Sequence, residues 1–521
     1  MATGISRGMG MFRDVLMAGI FGTSTAMSAF VTAFRMPNLF RALFGEGALS
    51  AAFIPVFVET REKQGQDAAW SMARKIFTLI GTVLFALAIV GSAGSWIVAQ
   101  WGGLGAQGRM IAMLLAIMLP YLFFICIAAV GSGLLNSLGH FFIPAATPWI
   151  LNAIIIIALL WVCPSMGAAP ESQVYGVAWA VVVAGLVQAW VQFPPLRVRG
   201  FRWRWDGGWR DERVLRVARL MGPVALARAV TQVNVLVDSW LAVWIAAWAP
   251  AALFYSERLI YLPLGIFATA LSTVLLPLFS GHAARGDHAA LRGAVSDGLR
   301  WLMFLMVPAA IGLAVLGEPI CQLLFERREF TAQSTLLTVR ALRVYAPGMI
   351  VFSLGKVFVP AFYALQDPKT PVRVGIATVV MNIGMSVLFM LTWPLEWKHA
   401  GIAAATVISE AINGIWMSLL VHRRLGSIGW GRIGESVART CLASAGMAAA
   451  AWKVNMEASH LAARVSSSLF LQRLSGVAAG IAAGIGVYLL MSWILRSPEL
   501  REMVVAARHR RDRPRAAPEV G

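Results

Sequence analysis

The chain has 521 residues, of which 59% are hydrophobic and 13% charged, with a mean hydropathy of +0.71. A soluble domain of this size needs far more polar surface, so a water-soluble fold is excluded. The net charge of +19 does not indicate nucleic acid, because Lys and Arg sit in short segments between apolar runs and in the C-terminal RHRRDRPR, as the positive-inside rule describes.

Taken in chain order, apolar runs predict an all-α polytopic membrane protein with about fourteen spans. They cover 3–21, 24–58, 76–101, 110–136, 141–163, 173–194, 220–247, 251–281, 298–325, 334–364, 374–394, 400–421, 437–455 and 470–495. A membrane barrel would show alternation in strands of about ten residues, and none is visible. The run 24–58 is too long for one crossing at about 1.5 Å per residue, so it must tilt, bend or project into water. The basic loop RVRGFRWRWDGGWRDERVLRVAR (197–219) separates residues 1–196, with six spans, from 220–425, with six more. Spans thirteen and fourteen fill 430–495, and a basic tail occupies 496–521. With both termini in the cytoplasm, cytoplasmic loops hold several-fold more Lys and Arg than external ones. External loops such as WAPAA and PLEWKHA leave no room for an extracellular catalytic domain. ALSAAFIPVF (48–57) returns as ALSTVLLPLF (270–279) at an equivalent place in the second half, which suggests two parallel repeats.

Cys126, Cys163, Cys321 and Cys441 lie in or beside apolar runs without CxxC spacing and read as packing residues. No small-residue cleavage site follows the first apolar segment, so no cleavable signal is expected. No P-loop, HExxH or GxSxG motif occurs.

The informative residues are the few charges inside the spans. Each costs about 2.5–3.5 kcal/mol at the bilayer centre on insertion scales, so it needs a cavity, a partner or a helix end from which to snorkel. Arg35, Arg340 and Arg343 stand close enough to span ends for snorkelling. Arg7, Arg13, Arg41 and Arg258 come from both halves of the chain, and carboxylates within the spans are fewer. That surplus suits an anionic ligand, and the guanidinium fork suits phosphate oxygens. Asn38 is three residues before Arg41 and shares its helix face, and Pro37 can kink the helix just ahead of them. Gly8 and Gly10 permit a bend between Arg7 and Arg13. Glu46 reads as a partner that holds an arginine in place. Asp238, in VNVLVDSWLAVW, has no basic residue within a turn. It is either a coupling-ion ligand or a helix-packing hydrogen-bond partner, with Asn234, Asn382 and Thr406 as polar companions. Glu410 has similar status.

SRGMGMFRD (6–14), AFRMPNLFRALFGEGALSAAFIPVF (33–57), FYSERLIYLPLGIFATALSTVLLPLFS (254–280) and FYALQDPKTPV (362–372) resemble the MurJ/MviN lipid II flippases, in the multidrug/oligosaccharidyl-lipid/polysaccharide exporter superfamily. The resemblance implies two six-helix lobes around a central cavity, plus two C-terminal helices bordering a lipid-facing groove. It implies movement of undecaprenyl-pyrophosphate-linked peptidoglycan precursor (lipid II) from the cytoplasmic to the outer leaflet of the bacterial plasma membrane. Alternating access would be driven by a sodium ion, a proton or the membrane potential. No enzymatic step, cofactor or nucleic acid is implied; the partners are lipid II, membrane lipids and other cell-wall synthesis proteins. The family's cavity arginines fall on Arg7, Arg13, Arg41 and Arg258, supported by Ser6, Asn38 and Glu46. In sodium-driven members the ion site falls on Asp238 and Asn382, with Thr406 nearby. The chain departs from many relatives at Ser28, where they carry an aspartate, and at Ala42, where they carry a second arginine. Two alternatives stay open: a membrane enzyme acting on polyprenyl-linked glycans, for which the short external loops offer little, and a polysaccharide or drug exporter, against which the arginine excess weighs.

Overall fold

The computed structural model describes residues 2–43 and 49–512. Among the described residues there are nineteen α-helices and no strand. The first nine are α1 (Ala2–Phe21), α2 (Thr25–Phe40), α3 (Leu49–Gln64), α4 (Gln66–Gln100), α5 (Ala106–Ser137), α6 (Phe142–Ile157), α7 (Cys163–Ser165), α8 (Pro170–Trp190) and α9 (Phe193–Val198). Then come α10 (Glu212–Ile245), α11 (Ala249–Pro263), α12 (Thr269–Ala284), α13 (His288–Phe325), α14 (Ala332–Ala364) and α15 (Lys369–Thr392). The last are α16 (Lys398–Leu425), α17 (Trp430–Val465), α18 (Leu469–Ile494) and α19 (Pro498–Asp512). π-helical turns, Ala158–Val162 and Leu264–Ala268, join α6 to α7 and α11 to α12. A bilayer offers no water to backbone N–H and C=O groups, and a helix satisfies them within itself.

Ten helical segments among the described residues are long and apolar enough to cross a membrane, and the chain is a multi-pass membrane protein. The other four predicted runs fall on α1, on the pair α2 and α3, on α10 and on α17. Among the described residues, the apolar part of α10 is Gln232–Ile245. The overlong run 24–58 includes α2 and α3; α2 continues through Pro37 to Phe40, residues 41–43 go on as a π-helical turn, and 44–48 lie outside the described residues. Cys126, Cys163 and Cys321 are buried, whereas Cys441 is exposed.

The chain forms two compact units. The first holds Met1–Tyr255, Phe325–Ser334 and Ile383–Ile402; the second holds Ser256–Leu324, Thr335–Asn382 and Ala403–Gly521.

In the first unit, an aromatic chain fastens the basic loop to the helices. Trp70 packs between Phe57 and Phe201 at 5.5 and 5.4 Å, and Phe201 meets Phe77 at 5.3 Å. Asp211 then starts α10. It accepts the Arg213 backbone N–H at 2.9 Å, the Arg213 guanidinium at 2.6 Å and Lys75 Nζ of α4 at 2.8 Å. The Arg213 hydrogen bonds, helped by Lys75, outweigh the burial that opposes them and hold the Asp211 carboxyl well below the usual carboxylate range.

In the second unit, α17 and α18 meet along a small-residue stripe. A Cβ on Gly480 would lie 2.9 Å from the Ala451 carbonyl oxygen, one on Gly484 3.2 Å from Ala451 Cβ, and one on Gly476 would collide with Ser459. The glycines let the backbones approach, which is how helices associate where lipid supplies no hydrophobic drive. The QDPKTP motif is a helix start. Asp367 accepts Thr370 N–H and Oγ1 at 3.1 and 2.6 Å, and Arg424 pairs with it at 2.6 Å. Glu499, 1% exposed, receives Arg300 at 2.7 Å and Ser436 Oγ at 2.8 Å, which anchors α19.

Two outcomes are expected. Gly480→Leu overpacks the α17–α18 seam, costs about 1–3 kcal/mol and lowers the thermal midpoint in detergent. Gly486→Leu, where no atom lies within 4 Å of the added Cβ, does not lower it; equal losses in both variants would contradict the seam. Asp211→Asn loses about 1.5–3 kcal/mol at neutral pH, the worth of hydrogen bonds to a charged group. The folded-state pKa is depressed, so the wild-type advantage is present above the unfolded value near pH 4 and fades as pH falls toward the folded one. Denaturant unfolding across that range would show the gap narrowing, and a constant gap would refute the carboxylate's role.

Candidate functional site

The charges inside the first unit's helices are held, not loose. Arg13, on α1, donates Nε and Nη2 to Asp14 Oδ1 at 2.9 and 2.6 Å. Its Nη1 donates to Asn152 Oδ1 of α6 at 2.9 Å, and Asn152 Nδ2 returns to the Ser6 carbonyl oxygen at 3.2 Å. Ser6 therefore takes part through its backbone. Asp14 is 3% exposed, so the pair sits where an unpartnered charge would be very unfavourable. α6 is itself fixed on α8, where Gln188 and Gln192 donate to the Thr147 carbonyl and hydroxyl at 2.7 and 3.0 Å. Arg7, two turns ahead of Asp14, is half-buried.

Arg41 follows α2 directly, and its Nε donates to Asn38 Oδ1 at 2.9 Å, as their three-residue spacing predicts. This contact helps to orient the guanidinium on its own helix face. Glu46 lies outside the described residues. Ser28 is buried, and its hydroxyl accepts the Ala251 N–H at 3.3 Å. That N–H belongs to the first turn of α11, which has no acceptor of its own, so Ser28 caps α11 from across the unit.

Asp238, on α10, accepts Ser386 Oγ of α15 at 3.3 Å and Asn234 Nδ2 at 3.5 Å. Asn234 Oδ1 is buried without a hydrogen-bond partner. One carboxylate, one hydroxyl and one amide oxygen with unused acceptor capacity make a hard, oxygen-only donor set, the chemistry that suits an alkali cation or a proton.

In the second unit, Arg258 is half-buried on α11. Two residues earlier, Ser256 donates to the Thr338 carbonyl at 2.7 Å and ties α11 to α14. Asn382 is fully buried and donates to Thr406 Oγ1 and Ser409 Oγ, each at 3.2 Å, which joins α15 to α16. Asn382 and Thr406 are therefore brought together, and Ser409 completes their contact. Sequence reasoning missed Asn152, Ser386 and Ser409. Asn152 and Ser386 are lone polar residues in apolar runs, which is the signal that marks them; Ser409 stands beside Glu410 and three residues after Thr406.

Residues 17–472 match the family model described as lipid II flippase MurJ. A probable lipid II flippase MurJ from Vibrio cholerae is 33% identical over 507 residues, covering 94% of each chain. The lipid II flippase MurJ of Burkholderia cenocepacia is 31% identical over 509 residues, covering 94% of this chain and 95% of that one. Among solved structures, a lipid II flippase MurJ in an inward closed conformation aligns with a TM-score of 0.77 at 24% identity, over 96% of this chain and 98% of that one. An inward-facing multidrug transporter of the MATE family aligns at 0.63 with 15% identity, over 81% and 94%. At these identities the two structures speak for the fold.

Proposed function

Because the chain belongs to the lipid II flippase MurJ family, we propose that it carries lipid II, an undecaprenyl-pyrophosphate-linked peptidoglycan precursor, from the cytoplasmic to the outer leaflet of the bacterial inner membrane by alternating access. Beyond the family match, the observation that carries this is Arg41. It lies in a predicted membrane span, and its Nε hydrogen-bonds Asn38 one turn earlier on the same helix face. A guanidinium in a low-dielectric setting attracts a pyrophosphate strongly and offers it a planar fork. Arg7 and Arg258 are proposed to act with it. Arg13 is assigned a positioning role, because its hydrogen bonds go to Asp14 and Asn152 and brace α1 on α6. Release requires that these attractions weaken, which a change of access supplies by exposing the site to water.

The coupling ion is assigned to Asp238, with Asn234 and Ser386 completing an oxygen set that suits sodium; protonation of Asp238 is the equivalent for a proton-driven cycle. Asn382 and Thr406 are proposed to stiffen the neighbouring helices through their mutual hydrogen bond. Residues 1–196 and 220–425 are proposed as the two moving lobes, with helices α17 and α18 appended and both termini cytoplasmic. No covalent step is assigned to any residue.

Arg41→Ala and Arg258→Ala should each fail to support growth of cells depleted of their own flippase, although the protein reaches the membrane. Loss of one charged hydrogen bond is worth about 1.5–3 kcal/mol, or roughly ten- to a hundredfold in affinity. Full complementation by both variants would sink the arginine assignment. Asp238→Asn should remove the dependence of transport on an ion gradient in proteoliposomes; a dependence equal to wild type would reject Asp238 as the coupling site.

A further inference from the structure

The basic loop between α9 and α10 has an outer surface that none of the assignments above uses. Residues 197–213 hold six arginines and three carboxylates. One carboxylate, Asp211, is held by Arg213 and Lys75. Asp206 accepts the Gly208 N–H at 3.2 Å, and Glu212 lies in the first turn of α10. With all three acids counted, the segment still carries three more arginines than carboxylates. Arg202, Arg204 and Arg210 are exposed, and among the described residues none of the ion pairs includes them.

The loop is fixed in place. Phe201 is fully buried beside Trp70 and Phe77, Phe77 meets Phe193 at 6.2 Å, and Phe193 stacks on Trp203 at 6.0 Å. This aromatic ladder runs outward, with Trp203 53% and Trp205 68% exposed. The Asp206 N–H then donates to Thr78 Oγ1 of α4 at 3.3 Å. Thr78 stands at the start of the predicted span 76–101, and the exposed Val83 and Phe85 follow about 8 and 10 Å further along the helix. Trp205 therefore stands where α4 passes from water into hydrocarbon, the depth at which indole rings concentrate. Arg199 Nη2 meets His140 Nδ1 at 3.4 Å and ties in the α5–α6 turn, whose Phe141 and Phe142 are 65 and 70% exposed.

These side chains identify the ligand class. Exposed aromatic rings among arginines suit neither bulk water nor hydrocarbon. They suit the headgroup layer, where rings meet the acyl boundary and guanidinium groups meet phosphate. The positive-inside rule accounts for the charge alone and asks for no aromatic side chains beside it. The arginines are spread along the segment in reach of water and do not converge in a cavity. That arrangement suits several singly charged headgroups, each attracted weakly and in a salt-sensitive way, better than one tightly held diphosphate.

We propose that residues 197–210, with the α5–α6 turn, form an interfacial anchor that gathers anionic phospholipids of the leaflet on its own side. Trp203 and Trp205 reach the acyl boundary, and Arg202 and Arg204 hold the phosphates. That leaflet is the cytoplasmic one under the orientation proposed above; the lipid preference itself depends neither on that orientation nor on lipid II recognition.

The test replaces Trp205 with photoreactive benzoylphenylalanine in the full chain. The protein goes into nanodiscs of phosphatidylcholine with a minor share of phosphatidylglycerol, and covalent lipid adducts are read by mass. Phosphatidylglycerol adducts should be enriched several-fold over the bilayer ratio, and the enrichment should shrink as salt is raised. The same probe at Trp96, exposed near the far end of α4, should report the bilayer ratio. Arg202→Gln with Arg204→Gln should bring the Trp205 ratio down to that of the bilayer in a protein that stays monodisperse, because neither side chain is buried. Arg41→Gln should keep the enrichment, so failure of the pyrophosphate assignment and failure of this anchor read out separately. A Trp205 probe that captures no lipid, or that cross-links to a second copy of the chain, would overturn the anchor. So would adducts at the bilayer ratio with the loop unaltered, equal enrichment at Trp96, enrichment that survives loss of both arginines, or preferential capture of an added polyprenyl diphosphate.

Discussion

Arg13 sits inside α1 with its guanidinium hydrogen-bonded to Asp14 and Asn152, and the organisation of the first unit follows from that contact. A charge in hydrocarbon is tolerated only with a partner; Asp14 supplies it on the same helix, and Asn152 adds a hydrogen bond from another. Asn152 thereby fixes α6 against α1, and Thr147 on the same helix fixes α6 against α8. The chain thus uses one ion pair and a few amides to dock helices whose apolar surfaces gain little from one another in lipid. The helix that carries Arg7 is held in place by the same contact.

The second unit solves the same problem differently. Along α17 and α18 the contact is made by glycines that remove side chains and let backbones meet. At helix ends, Glu499 gathers Arg300, Ser436 and Ser497, and Asp367 starts α15 and holds Arg424. Asp238 belongs to neither pattern. It accepts from Ser386 and Asn234, and the neighbouring Asn234 Oδ1 is left without a hydrogen bond. That oxygen-rich setting is the ground on which a coupling ion is proposed there.

Hydropathy made the all-helical membrane fold legible, because runs of apolar residues need no tertiary information to be recognised. It also made the embedded charges stand out, and the Asn38–Arg41 contact was legible because three residues apart is one face of a helix. The long-range partners, Asn152 of Arg13 and Ser386 of Asp238, were not legible, because they arrive from 139 and 148 residues away along the chain. Asn152 and Ser386 look, in sequence, like ordinary polar residues in apolar runs; only folding reveals what each one meets. The overlong run 24–58 showed that something must give, but not that helix α2 would run on through Pro37. Ser28 is a related case. The acid of many relatives is absent, and the hydroxyl in its place serves the first turn of α11.

The central claim is that these embedded arginines serve a pyrophosphate lipid in transit rather than a covalent reaction. The direct measurement is a leaflet-resolved assay of lipid II in proteoliposomes of the purified chain, with and without an ion gradient, and with the lipid's mass read at the end. The account predicts that lipid II loaded in one leaflet reaches the other with its mass unchanged, faster under the gradient. Lipid II that stays in its leaflet under every gradient, or that emerges covalently altered, would contradict it.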